Sequence, residues 1–189
     1  MKVFAELNDP QVAAQLKNGA VGVIPTDTVY GLVASAGQPT AIERLYTIRQ
    51  RNPAKACILL IANQQQIAHT ARVGDAERAL MNRYWPGPVS IIVPVDPQTP
   101  DYLRRTETSL AYRLPDYPEL QALLQKTGPL LAPSANPEGK PPATNLQQAQ
   151  AYFGDSVDFY VEGGDVSGRQ PSILVAMQEG KITILRSRS

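Results

Sequence analysis

The sequence predicts an α/β (α+β) fold: a twisted sheet of mixed parallel and antiparallel strands, flanked by helices. Three observations lead there. Apolar runs at 20–24, 57–61 and 130–132 have the length and character of buried strands. Segments with helical spacing alternate with such runs through most of the chain. Near the C-terminus, apolar runs at 172–176 and 181–185 flank Gly180, which suggests a hairpin and therefore an antiparallel pair. With 189 residues, 43% of them hydrophobic, the chain can bury one sizeable core. No long linker or internal repeat divides it, so one domain over 1–189 is expected.

The elements follow in order. Asp9 and Pro10 read as the N-cap and first residue of a helix. Val12, Ala13 and Leu16 make its apolar face, and Gly19 ends it. Pro25 stops the run at 20–24, because it has no N–H for a ladder. Residues 31–36 form another short apolar segment. Pro39 and Thr40 open a helix with Ile42, Leu45, Tyr46 and Ile48 on one side. After the strand at 57–61, residues 63–84 read as helical with an interruption near Val73 and Gly74. Trp85-Pro86-Gly87-Pro88 is a rigid turn before a strand at 89–95, and 109–113 alternates as a half-buried strand. Residues 118–126 place Leu120, Leu123 and Leu124 on one helix face. The run at 130–132 enters a proline-stiffened loop, 133–144, followed by a helix at 145–153 and a strand at 157–161.

Composition narrows the function. Lysine and arginine total 18 against 17 acidic residues, so a nucleic-acid surface would have to be local. Cys57 is the only cysteine and sits in an apolar run, which excludes an internal disulfide and fits a buried thiol. His69, the only histidine, has no partner motif and is read as surface or structural, with no metal role. The N-terminus lacks a cleavable leader pattern, and no stretch approaches about 20 consecutive apolar residues, so a cytoplasmic protein with no membrane span is expected. There is no Walker motif, dinucleotide glycine fingerprint, metal-ligand cluster or Ser/His/Asp set. What remains is a set of hydroxyls and cations at strand ends. Such a set suits reactions in which a substrate supplies the nucleophile, and the protein orients it and stabilises phosphate charge.

Three stretches carry these groups. Thr26-Asp27-Thr28 lies at the end of a strand, where α/β folds bind ligands, although such a triplet also caps its own turn. Arg49, Arg51 and Lys55 sit between a helix end and a buried strand; they suit either the helix dipole or a polyphosphate. The loop 133–144 holds hydroxyl and amide groups on a stiff backbone, as a ligand-holding loop or a plain connection.

Pro25-Thr26-Asp27-Thr28-Val29-Tyr30-Gly31-Leu32, Arg51 to Lys55, Trp85-Pro86-Gly87-Pro88-Val89, Ser109 to Arg113, and Pro133-Ser134-Ala135-Asn136 stand in the order seen in the YrdC-like family. The resemblance covers nearly the whole chain. It is strongest to the short, single-domain threonylcarbamoyl-AMP synthases (TsaC type). The resemblance implies a nucleotidyltransferase that makes L-threonylcarbamoyladenylate and pyrophosphate from L-threonine, bicarbonate or CO2, and ATP. The product would pass to proteins that form N6-threonylcarbamoyladenosine at position 37 of ANN-reading tRNAs.

Carried over by position, the resemblance implies that Arg51, Lys55 and Arg113 serve catalysis. Arg49, Arg51, Lys55, Ser109, Asn136, Thr144 and Arg186 fall on the ATP side, and Thr28, Arg113, Ser134 and Ser172 on the threonine side. Mg2+ is expected to arrive with ATP, without a clear protein ligand. Two positions depart from the family: Arg49 stands where a lysine is usual, and Leu60 where some members have histidine. Two other readings follow from the same residues. One is an RNA-binding module using Arg49, Arg51, Lys55 and Lys140; the other is a YrdC-like paralogue of different activity.

Overall fold

The computed structural model describes residues 2–67, 72–178 and 180–187; His69 lies outside them. The strands are β1 (Lys2–Phe4), β2 (Gly22–Ile24), β3 (Gly31–Ser35), β4 (Leu59–Leu60), β5 (Val89–Pro94), β6 (Ser109–Arg113), β7 (Leu130–Leu131), β8 (Phe159–Val161), β9 (Ile173–Gln178) and β10 (Lys181–Arg186). They form one sheet in the order β1-β8-β2-β3-β7-β4-β6-β5-β9-β10. The pairs β1/β8, β2/β8, β4/β6 and β5/β9 are parallel, and the others antiparallel, so the sheet is mixed as the sequence predicts. The helices are α1 (Pro10–Lys17), α2 (Pro39–Arg49), α3 (Asp75–Tyr84), α4 (Asp101–Arg104), α5 (Pro118–Thr127) and α6 (Leu146–Phe153). None of the described helices is long and apolar enough to cross a membrane.

Local chemistry sets most boundaries. The Asp9 carboxylate accepts from the Gln11 N–H at 2.8 Å and caps α1, and Asn145 does the same for Gln148 at 2.9 Å at α6. Gly22 is required by packing: a Cβ there would meet the Phe159 ring at 2.2 Å. The expected strand at 57–61 contracts to Leu59–Leu60, the two residues that pair with both β7 and β6. Its ladder continues as single bonds: Ala132 N–H donates to the Ile58 carbonyl and Ile61 N–H to the Arg113 carbonyl, each at 2.9 Å. Within the expected helical span 63–84 there are a 3-10 turn at Gln64–Ile67 and α3. Strand β1 and the single-turn α4 are too short to produce a readable period.

Alternation along the strands sorts the core into two layers. Leu32, Ala34, Val23 and Tyr160 join α2, α3 and α6 on one face. Val33, Ile24, Phe159 and Val161 join α1 and α5 on the other. Farther along the sheet, Leu110 and Tyr112 of β6, Ile91 and Val93 of β5, and Val175 of β9 all turn to the α2/α3/α6 layer. Their alternates, Ser109, Ala111, Arg113, Ile92 and Leu174, face the side that α1 and α5 leave uncovered, and they line a cleft there. Leu60 packs in the α1/α5 layer and is not part of the cleft wall.

Candidate active site

The cleft has a volume of about 400 Å3. Its wall brings together Thr28, Arg49, Arg51, Lys55, Ser109, Arg113, Ser134, Ser172 and Arg186, residues far apart in the chain. Asn136 and Thr144 lie outside that wall. The Asn136 amide donates to the Pro137 and Lys140 carbonyls at 2.9 and 2.7 Å, which fixes the loop's shape. The Thr144 hydroxyl and N–H both bond Gln148 Oε1, at 3.1 and 2.8 Å, at the start of α6.

The turn between β2 and β3 serves both itself and the cleft. Thr26 Oγ1 donates to the Val29 carbonyl at 2.7 Å and accepts from the Thr28 N–H at 3.1 Å, so it caps the turn. The Thr26 proton is thereby used, so the 3.1 Å contact between the two hydroxyls has Thr28 as donor. Thr28 Oγ1 also accepts from Arg113 at 2.8 Å. One lone pair of Thr28 remains. The turn is stitched to the 133–144 loop by Leu32 N–H to the Pro133 carbonyl at 2.9 Å and Ala135 N–H to the Tyr30 carbonyl at 2.8 Å.

Arg113 ends β6 and is 4% exposed. Its guanidinium pairs with the Asp27 carboxylate at 3.1 Å, and both side chains are nearly shut off from solvent. Burial pushes the Asp27 carboxyl above its ordinary value; Arg113 pulls it down but does not prevail.

Arg49, the last residue of α2, is 6% exposed. It donates from Nε to the Ser134 carbonyl and from Nη2 to Ser134 Oγ, each at 3.1 Å, and reaches Asn136 Oδ1 at 3.5 Å. Its Nη1 is buried with no hydrogen-bond partner among the described residues. Gln50 then takes a left-handed conformation with φ 54°, turning the chain into the Arg51–Lys55 segment. Arg51 donates to the Ala56 carbonyl at 2.8 Å, and the Tyr46 hydroxyl to the Lys55 carbonyl at 2.8 Å. Glu138 joins this segment to the 133–144 loop. Its carboxylate accepts from the Asn52 N–H at 2.8 Å and pairs with Lys55 Nζ at 3.7 Å, and its own N–H donates to the Arg49 carbonyl at 3.0 Å. Burial lowers Arg49 below the usual guanidinium range, and desolvation does the same to Arg186; in both, repulsion from Arg51 is the next cause. Cations held so close favour an anion between them. Cys57 also lines the cleft, and burial pushes its thiol up, away from the reactive thiolate.

At the far wall, Arg186 donates from Nε to the Ser172 carbonyl at 3.0 Å and from Nη2 to Ser172 Oγ at 2.9 Å. Ser172 Oγ lies 2.9 Å from Ser90 Oγ. Sequence reasoning read Asp27 only as part of a polar turn, missing its pairing with Arg113, and gave Ser90 no role. A signal existed for each: a carboxylate flanked by apolar strands needs a counter-charge, and Ser90 is the one hydroxyl in the apolar stretch 89–95.

A family model for Sua5/YciO/YrdC proteins, described as "Telomere recombination", matches residues 14–187. A protein of Marinobacter nauticus named threonylcarbamoyl-AMP synthase is 35% identical over 86% of this chain and 87% of its own length. One of the same name from Klebsiella pneumoniae is 37% identical over 83% of this chain and 84% of its own. The solved structure of P. abyssi Sua5 complexed with L-threonine has the same fold, with a TM-score of 0.91 at 24% identity. It covers 100% of this chain, which spans 58% of that longer protein. By the span of the family match and the identity to these relatives, this chain belongs to the Sua5/YciO/YrdC family.

Proposed function

We propose that this chain is a threonylcarbamoyl-AMP synthase, a nucleotidyltransferase that condenses L-threonine, bicarbonate or CO2, and ATP into L-threonylcarbamoyladenylate and pyrophosphate. The observation that carries the reading is the cleft itself. Arg49, Arg51, Lys55, Arg113 and Arg186 converge on one cavity, and Glu107 is the one carboxylate residue in its wall among the described residues. Such a wall suits a polyanion together with a carboxylate. The relatives' name, threonylcarbamoyl-AMP synthase, supports the same product.

In this reading the threonine amine adds to CO2 and releases a proton, giving a carbamate. A carbamate oxygen attacks the α-phosphorus of ATP, the bond to the β-phosphate oxygen breaks, and pyrophosphate leaves. The substrate is the nucleophile, so the protein needs to orient and to neutralise. Arg113 and Thr28 hold the amino acid, with Ser134 and Ser172 beside it. Arg51, Lys55 and Arg186 neutralise phosphate charge, Arg49 fixes the wall at Ser134, and Ser109 faces the nucleotide. Asn136 and Thr144 act through loop shape. Mg2+ would arrive with ATP and would supply charge neutralisation on the polyphosphate; among the described residues no cluster of carboxylate, His or Cys side chains would hold it, so its ligands would come mainly from the phosphates and water. The product goes on to the proteins that modify position 37 of ANN-reading tRNAs, in the cytoplasm. The RNA-binding reading has less support, because Arg49 is buried and Lys55 is engaged by Glu138.

The test is pyrophosphate release from ATP by the purified chain. Release should require both L-threonine and bicarbonate, and release indifferent to threonine rules the proposal out.

A further inference from the structure

Ser90 lies in β5 on the face opposite the α2/α3/α6 layer and is 0% exposed. Among the described residues, the hydrogen-bond partner of its side chain is Ser172, at 2.9 Å. A hydroxyl has one proton and two lone pairs. A buried hydroxyl that keeps its proton unshared is costly, so Ser90 donates to Ser172. Arg186 has only donors, and it too donates to Ser172 Oγ, at 2.9 Å. Both lone pairs of Ser172 Oγ are therefore taken, and its single proton is left over. Ser172 lines the cleft.

We propose that Ser90 is a positioning residue that fixes Ser172 as a hydrogen-bond donor toward an anionic ligand oxygen in the cleft. The oxygen belongs to a phosphate or to a carboxylate. Without Ser90, a lone pair of Ser172 opens and the hydroxyl loses its fixed polarity. The choice of probes rests on the proposed function; the hydrogen-bond assignment does not.

Calorimetric titration of the full chain with inorganic pyrophosphate, ATP and L-threonine tests this. Ser90→Ala should weaken pyrophosphate and ATP together, or L-threonine alone, by about 3- to 10-fold. The first result assigns a phosphate and the second a carboxylate. Ser90→Cys, which keeps the volume and a weak donor, should fall between wild type and Ser90→Ala, and it serves if Ser90→Ala does not fold. In a Ser172→Ala background the Ser90 substitution should have no further effect, because Ser90 acts through that hydroxyl. Equal losses with and without Ser172 would make Ser90 merely structural and overturn the proposal. So would affinities within about twofold of wild type for all three probes, or a wild-type chain that binds none of them. A wild-type chain that binds pyrophosphate but shows no threonine-dependent turnover overturns the proposed function and leaves the Ser90 assignment standing.

Discussion

Arg113 and Asp27 form a buried ion pair at 3.1 Å behind the cleft wall, and the same guanidinium holds the Thr28 hydroxyl at 2.8 Å. Asp27 itself does not line the cleft, so it acts on a ligand only through Arg113. Burial raises its carboxyl above the ordinary 3.8, and the unfolded chain, at the ordinary value, therefore ionises first as pH rises. Between the ordinary and the raised value the native state binds more protons, so this group's contribution to stability declines as pH increases. Asp27→Asn cannot ionise. Wild type should lose stability relative to Asp27→Asn as pH climbs from about 3.8, read by denaturant unfolding at a series of pH values. A stability difference that stays flat with pH would mean that Asp27 does not titrate abnormally. Asp27→Ala removes the hold on Arg113 and should lower kcat/KM for threonine by about 10- to 100-fold.

That pairing also marks where the sequence stops being legible. Helix α1 could be read from Asp9, Pro10 and Gly19, and β6 from its alternation, because caps and periods are local signals. Thr26-Asp27-Thr28 was readable as a polar turn. Which of the three faces a ligand depends on Arg113, 85 positions from Thr28. The same holds for Arg49 and Ser134, 85 apart, and for Ser90 and Ser172, 82 apart. Family resemblance supplied the cleft residues by position. It did not show that Thr26 consumes its own proton in the turn, or that Asn136 and Thr144 lie outside the cleft wall.

Arg49 is more deeply set than an exposed loop cation. Its guanidinium meets the Ser134 carbonyl, the Ser134 hydroxyl and Asn136, and these contacts join α2 to the 133–144 loop. A lysine ammonium has no fork to span them. Arg49→Lys should therefore cost stability, about 1–3 kcal/mol, and Arg49→Ala at least as much. Thermal unfolding measures it. An unchanged Tm in both variants would show that the cluster does not hold the loop.

Glu138 ties the segment after α2 to the opposite loop, and its carboxylate pairs with Lys55 at 3.7 Å. Its carboxyl sits below the usual range, chiefly through the hydrogen bond from the Asn52 N–H, so it is charged at neutral pH. Glu138→Gln keeps an acceptor for Asn52 but releases Lys55. KM for ATP should then fall by about 2- to 5-fold, with kcat little changed. Glu138→Ala loses the acceptor as well and should lower kcat. If Glu138→Gln raises KM for ATP, the carboxylate is not competing with phosphate for Lys55.

Amino-acid choice follows from the hydrogen bonds around Thr28. Its proton goes to Thr26 Oγ1, and one of its lone pairs goes to Arg113. What it offers the cleft is a remaining acceptor. In the proposed function the threonine hydroxyl donates to that acceptor, while Arg113 takes the carboxylate. Serine keeps the donor and lacks only the methyl, a loss worth about 10- to 200-fold in a shaped pocket. Valine keeps the shape but has no donor, so Thr28 would face it with an unpaired acceptor in a buried site. A site built on such a bond rejects the analogue lacking it by up to about 10⁴-fold. The order of kcat/KM at saturating ATP and bicarbonate should be threonine, then serine, then valine. Thr28→Val should bring serine and valine closer together, because the acceptor is gone while the side-chain volume is kept. If valine matches serine with Thr28 in place, the hydroxyl of the substrate is not read at this position.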